Sequence, residues 1–291
     1  MREFTFHGAD GTKLVGWTNE GDGPRVLLCN GLAAPAQSWP GLLDPHCGFE
    51  VVSWHQRGFL GSDRPGRIDQ ARLQVQSTDA LALLDHLGWE SALLLGWSFG
   101  VNMACEVAIE QPHRVTGMVA VAGVPGGTFR ALLGRNPLPA DVRRGLGITG
   151  TALGESQAWG INLIAAAVPS PTLIAAVLQR AGFISGHAKT SDVTAMIRPY
   201  LRHDFGWYFK TARLLAEHRP LDVSRIAVPV DVLVGRADTV TDPRAVELFG
   251  RSLADGTVRT VPGTHFLPVE FPEEITAALH RVASRTVRAA A

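Results

Sequence analysis

Gly96-Trp97-Ser98-Phe99-Gly100 sets a serine between two glycines, and its flanks decide whether that serine could be a nucleophile. An apolar run, 92–95, leads into it and a helical stretch leaves from Phe99, so Ser98 falls on a sharp strand-to-helix turn. The glycines have a reason there, because a strained turn and a closely packed helix leave no space for side chains beside the serine. A helix beginning at Phe99 also directs free N–H groups and partial positive charge toward negative charge developing near the hydroxyl. The chemistry such a serine performs is attack on a carbonyl carbon, and it needs a neighbour to take the hydroxyl proton.

Histidine suits that role because its pKa lies near neutrality, and the chain carries ten of them. The base must sit on a loop at the carboxyl edge of the sheet, where Ser98 also sits. Residues 257–261 read as a final strand, Pro262-Gly263-Thr264-His265 follows, and a helix begins near Pro272, so His265 fits. His280 lies inside that helix, His86 and His113 at earlier helix ends, and His7 on an opening hairpin. The acid that orients the histidine is expected after the preceding strand, 230–234, whose exit offers Asp238 and Asp242. Asp242 precedes Pro243 and a helical stretch, the pattern of an N-cap followed by proline at the first helical position, which leaves Asp238 to hold the imidazole tautomer.

The elements that must position these groups alternate along the chain. Residues 2–6 and 13–17 alternate polar and apolar around Ala9-Asp10-Gly11 and read as a hairpin. Short apolar runs at 26–29, 51–54, 92–95, 119–121 and 230–234 lack alternation, as expected of strands buried on both faces. Helical stretches at 74–87 and 99–110 lie between them, so the expectation is a parallel sheet with helices on both sides. The beat breaks after Val124-Pro125-Gly126-Gly127 and resumes near Val228-Pro229. Residues 126–219 are too many for a loop, carry Ala-, Leu- and Ile-rich helical stretches, and are expected to form an inserted helical cap on a core of 1–125 and 220–291.

Lys plus Arg and Asp plus Glu both total 27, which advertises no basic face to nucleic acid or to an anionic membrane and points to an uncharged or weakly charged substrate. Cys29, Cys47 and Cys105 read as reduced thiols, with no metal spacing, dinucleotide fingerprint or P-loop, so no cofactor is implied. The first residues lack a secretion signal and no run reaches the roughly 18 apolar residues of a membrane span, so the expected location is the cytoplasm. A monomer or homodimer is expected.

Strand, elbow and helix, an acid after a late strand and a histidine after the last one together resemble the α/β-hydrolase family over nearly the whole chain, in the chain order Ser98, Asp238, His265. The resemblance implies a mostly parallel eight-stranded sheet with a cap and a serine hydrolase acting on an ester-like bond. Cys29-Asn30-Gly31-Leu32 is similar to the family's H-G-x loop, which implies an oxyanion hole made by the N–H groups of Leu32 and Phe99. Residues 54–65 are similar to a D-x-R-G-x-G-x-S-x-x-P segment. Asn30 stands where histidine is usual, His55 where aspartate is usual, and Leu60-Gly61 shifts the second glycine. Serine at 98 speaks against the dehalogenase and epoxide-hydrolase branches, which place aspartate there. The same triad could equally serve a lactonase, a carbon–carbon bond hydrolase, a thioesterase, a perhydrolase or an acyl transferase, and a receptor that turns over negligibly could retain it.

Trp97, Trp159, Phe183 and Trp207 are expected to line an apolar substrate pocket under the cap, whereas the adjacent His203 and Asp204 are expected at solvated surface.

Overall fold

In the computed structural model, which describes residues 1–168, 170–215 and 218–290, an eight-stranded sheet runs in the order β1-β2-β4-β3-β5-β6-β7-β8. Its strands are β1 (Arg2–His7), β2 (Lys13–Thr18), β3 (Arg25–Cys29), β4 (Glu50–Trp54), β5 (Ala92–Trp97), β6 (Val115–Val121), β7 (Val230–Gly235) and β8 (Gly256–Val261). The opening hairpin pairs β1 with β2 from Arg2↔Thr18 to His7↔Lys13, and β2 adds antiparallel to β4. Every pairing from β4 to β8 is parallel.

The helices are α1 (Leu73–His86), α2 (Phe99–Glu110), α3 (Ala140–Ser156), α4 (Ala158–Ala166), α5 (Pro171–Arg180), α6 (Thr190–Tyr200), α7 (Phe205–Leu215), α8 (Pro243–Ser252), α9 (Leu267–Glu270) and α10 (Pro272–Ala290). Burial on both faces explains why the apolar strand runs do not alternate. Leu94, Val230, Val232 and Val234 face one core with Leu83 and Leu84 of α1, Val101 and Val107 of α2 and Phe249 of α8. Leu93, Leu95 and Leu233 face the other, with Trp39, Leu42 and Ile275, Leu279 and Val282 of α10.

Between β6 and β7, residues 126–219 carry α3 to α7 and, among the described residues, no strand of the sheet. They hold a small core of their own, in which Ala175, Ile184, Val193, Met196 and Ile197 meet Val269 of α9. No single helix among the described residues is long and apolar enough to cross a membrane.

Candidate active site

β5 lies centrally in the sheet with all its residues buried, and Ser98 follows its last residue with φ 54° and ψ −117°. That left-handed backbone is unfavourable for any residue but glycine and persists only where its surroundings over-determine it. Here the Ser98 N–H donates to Val121 of β6 (2.9 Å) while its carbonyl accepts from Val101 in α2 (3.1 Å). A Cβ on Gly96 would lie 2.8 Å from the Gly100 carbonyl oxygen, and one on Gly100 would collide with the Cys29 carbonyl of β3. Strand, turn and helix pack backbone to backbone, and larger residues would push the elbow off the sheet.

β7 and β8 run parallel beside β6, so their exits bring Asp238 and His265 to the same edge as Ser98. His265 Nε2 lies 2.8 Å from Ser98 Oγ, and Nδ1 lies 2.8 Å from Asp238 Oδ2. A carboxylate only accepts, so Nδ1 carries the proton and Nε2 is left to accept from the serine hydroxyl. The second oxygen of Asp238 accepts the N–H groups of Val240 and Thr241, both at 2.8 Å. Asp242 caps α8 through Arg244 N–H (3.0 Å) and accepts Arg143 of α3 (3.0 Å), so the two aspartates divide their work as their sequence contexts suggest.

The turn before His265 is tied down by Glu270, which sequence reasoning missed. Its carboxylate accepts Thr264 N–H (2.7 Å) and Thr264 Oγ1 (2.6 Å), and also the N–H of Ser185 from the inserted segment (2.7 Å). The available signal was an acidic residue inside the apolar run Phe266-Leu267-Pro268-Val269-Glu270-Phe271, where an unpaired charge would be costly. Trp97 Nε1 donates to the His265 carbonyl at 2.9 Å, so the residue before the serine also holds the histidine.

The loop after β3 is braced from within and from the segment that follows β4. Asn30 Oδ1 accepts Gly31 N–H and Trp39 Nε1, both at 3.0 Å, and its Nδ2 donates to the Ala34 carbonyl (2.9 Å). The amide at position 30 thus works in both directions. Gln56 accepts Ala33 N–H (3.0 Å) and donates to the carbonyls of Asn30 (3.0 Å) and Gly31 (3.2 Å). Ala34 N–H donates to the Gly31 carbonyl at 3.1 Å, which leaves Leu32 N–H as the loop donor with no acceptor among the described residues. Phe99 N–H, first in α2, is the second donor beside Ser98.

Ser98 and His265 open into a cavity of about 420 Å³. Its opposite wall is apolar, built from Ile174 and Leu178 of α5, Phe183, Met196 and Ile197 of α6 and Phe266. Trp97 and Phe183 line it, whereas Trp159 and Trp207 do not. Trp159 is 78% exposed on α4. Trp207 is buried elsewhere, donating Nε1–H to the Arg57 carbonyl (2.9 Å) with the Arg64 guanidinium 4.6 Å above its ring. Which way a helix turns its aromatic residues depends on what it packs against, and spacing along the chain carries no such information.

His203 corrects a second expectation. It is only 7% exposed, with Nε2 2.9 Å from the Ala33 carbonyl, while Asp204 stays at the surface paired with Arg64 (2.7 Å). Burial pushes the His203 pKa below the usual histidine value, opposed in part by its bond to Ala33. All three cysteines are free, and burial pushes the Cys29 thiol up to about 12, so it stays protonated. Among the described residues no group of histidine, cysteine and acidic side chains could hold a metal ion.

The profile of a family described as "alpha/beta hydrolase fold" matches residues 24–272. Among individual proteins, the chain is similar to epoxide hydrolase A of Mycobacterium tuberculosis, at 26% identity over 88% of this chain and 89% of that one. It is similar to 3-oxoadipate enol-lactonase 2 of Acinetobacter baylyi, at 25% identity over 91% of each chain. Its fold matches that of a thermophilic esterase from Thermogutta terrifontis with a TM-score of 0.70, at 20% identity, covering 98% of this chain and 99% of that one. With a serine elbow at the centre of a parallel sheet and a profile match over most of its length, the chain belongs to the alpha/beta hydrolase fold family.

Proposed function

We propose that this hydrolase-family protein cleaves ester-like acyl bonds of small, largely apolar substrates through a covalent acyl-enzyme, with Ser98 as nucleophile, His265 as base and Asp238 as the group that orients it. The observation that carries this reading is the continuous hydrogen-bond chain Asp238–His265–Ser98, at 2.8 Å per link, ending on an elbow that faces an apolar cavity. Ser98 Oγ attacks the carbonyl carbon as His265 Nε2 takes its proton. The oxyanion forms beside the N–H groups of Leu32 and Phe99, donors of a kind whose single removal costs about 3–4 kcal/mol. Collapse expels the alcohol, which His265 protonates, and a water activated by the same imidazole then releases the acid and restores the serine.

Epoxide opening, the activity named for several relatives, fits poorly with a serine. Attack by an alkoxide on an epoxide carbon leaves an ether, which water does not cleave, whereas a carboxylate would leave a hydrolysable ester. Lactones and thioesters demand the same steps from these residues as open-chain esters, and an enol-lactonase stands among the relatives. The helices of residues 126–219 act in this reading as the cap that selects the acyl group, supported by the α5 and α6 side chains in the cavity wall. A panel of p-nitrophenyl esters, lactones and thioesters, run beside fluorophosphonate labelling, tests the proposal. Turnover of at least one class and labelling that maps to Ser98 are expected, and a protein that shows neither would be a binding protein instead.

A further inference from the structure

We propose that His203, carried by the inserted segment, is a positioning residue for the oxyanion loop, with Tyr200 as a second strut. The inference rests on the acyl-transfer reading above, because it concerns the direction of the Leu32 N–H.

Peptide units are planar, so an N–H is aimed by fixing the unit that contains it and the units that follow. The unit of the Gly31 carbonyl and Leu32 N–H is held at its oxygen by Gln56 Nε2 (3.2 Å) and Ala34 N–H (3.1 Å). The next unit is held at both ends, its Leu32 oxygen by Tyr200 Oη (3.2 Å) and its Ala33 N–H by Gln56 Oε1 (3.0 Å). The third is held at the Ala33 oxygen by His203 Nε2 (2.9 Å) and at its N–H by the Gly31 carbonyl. The core supplies Gln56 and the inserted segment supplies Tyr200 and His203. Among the described residues the Leu32 N–H of these three units has no acceptor, and Leu32 lines the Ser98 cavity.

The loop needs this help because Ala33 sits at φ 57°, a left-handed conformation that costs a non-glycine residue free energy and relaxes if its neighbours release it. His203 is suited to the role. Phe59 and Tyr200 each stand edge-on to its ring at 5.2 Å, which sets the ring plane. Its burial favours the neutral imidazole, and a carbonyl can only accept, so the single proton resides on Nε2. The oxyanion donor is therefore aimed jointly by the sheet edge and by the helices above it. That support matters more for the tetrahedral oxyanion than for the planar ground state, so its loss falls on kcat rather than on KM.

The test compares His203→Leu, His203→Gln and Tyr200→Phe, each checked for folding by circular dichroism and thermal unfolding. Measured are kcat and KM for p-nitrophenyl butyrate, and inhibition by a trifluoromethyl ketone and by the matching methyl ketone. The fluorinated ketone adds Ser98 Oγ to its carbonyl carbon, passes the serine proton to His265 and places an oxyanion at Leu32, whereas the methyl ketone binds as the planar carbonyl. His203→Leu should lower kcat about tenfold to a hundredfold with KM little changed, and weaken the trifluoromethyl ketone by the same factor while sparing the methyl ketone. His203→Gln, whose amide can still donate to the Ala33 carbonyl, should recover most of that loss, and Tyr200→Phe should shift the same quantities less. Equal losses in the glutamine and leucine variants, a rise in KM alone, or equal weakening of both ketones would reduce His203 to a packing residue. Should His203→Leu fail to fold, the same pattern in the other two variants decides. A wild-type protein that neither turns over the ester nor labels at Ser98 would overturn the acyl-transfer reading and this proposal together, whereas an active wild type with indifferent variants would overturn this proposal alone.

Discussion

The sheet edge around Ser98 and the helices above it are built to different tolerances. At the edge, backbones touch, so that a single added carbon at Gly100 meets the Cys29 carbonyl and one at Gly123 meets the carbonyl of Ser98. In α3 and α4, by contrast, a Cβ on Gly145, Gly150 or Gly160 would meet nothing within 4 Å, and Trp159 and Ile164 stand 78% and 71% exposed. In the acyl-transfer reading, the groups that must stay within a fraction of an ångström of a reacting atom sit where packing permits one geometry, whereas α3 and α4, outside the cavity wall, sit where packing permits many.

The sharpest test of that contrast is catalytic. Ser98→Ala and His265→Ala should each cost at least about 10⁴ in kcat/KM, and the double variant little more, because the two act as a unit. Asp238→Asn should cost on the order of 10³–10⁴ with the fold intact, whereas Asp242→Asn should be mild, since asparagine also caps a helix. Steady-state kinetics on the five variants check both statements, and near-additive losses at Ser98 and His265 would separate what the geometry joins.

Gly100→Ala should lower stability by about 3 kcal/mol or prevent folding, as read from the urea midpoint, because the contact it creates is with backbone and cannot rotate away. A wild-type midpoint would mean that the elbow has slack.

The buried side of the molecule should also be the acid-sensitive side. His55, near the sheet edge, has its pKa pushed down to about 4 by burial, with the nearby His203 adding in the same direction. The Glu3 carboxylate, 3.7 Å away, lies largely in solvent and offsets little of this. A histidine that resists protonation when folded favours the folded state above its unfolded value of about 6.5, and that advantage is lost as pH falls toward 4, by up to ~3 kcal/mol. Denaturant unfolding across that range should show the decline, and His55→Phe should flatten it.

Smaller effects are expected above the cavity. Phe183→Ala and Ile197→Ala should change the ranking of short against long acyl esters by about 1–3 kcal/mol in relative kcat/KM. Trp159→Ala should leave that ranking within about 0.5 kcal/mol, because its side chain lies outside the cavity wall. A reversed result would mean that α4 turns inward when substrate binds. Gly150→Ala in α3 should raise stability by about 0.5–1 kcal/mol on thermal unfolding, opposite in sign to Gly100→Ala.

Ser98, Asp238 and His265 could be picked out along the chain because each lies just beyond a strand whose sequence signature is local: an apolar run, then a turn rich in glycine, proline or aspartate. Parallel strands of one sheet all end at the same edge, so reading where strands stop already places those side chains near one another. The capping role of Asp242 was legible for the same reason, since the proline that follows it is its neighbour in sequence. What only the tertiary structure decided concerns residues whose partners lie far along the chain. Trp159 and Trp207 sit on comparable apolar helical stretches, yet one faces solvent and the other seals Arg57, and only the packing of α4 and α7 distinguishes them. His203 turned from expected surface to buried strut because its acceptor, Ala33, is 170 residues away in sequence. Gln56 and Glu270 are polar residues whose worth lies in bonds to loops they do not belong to. Helical and strand periodicity identifies which residues share a face, but the rotation of that face toward one neighbour is set by the summed packing of the whole chain.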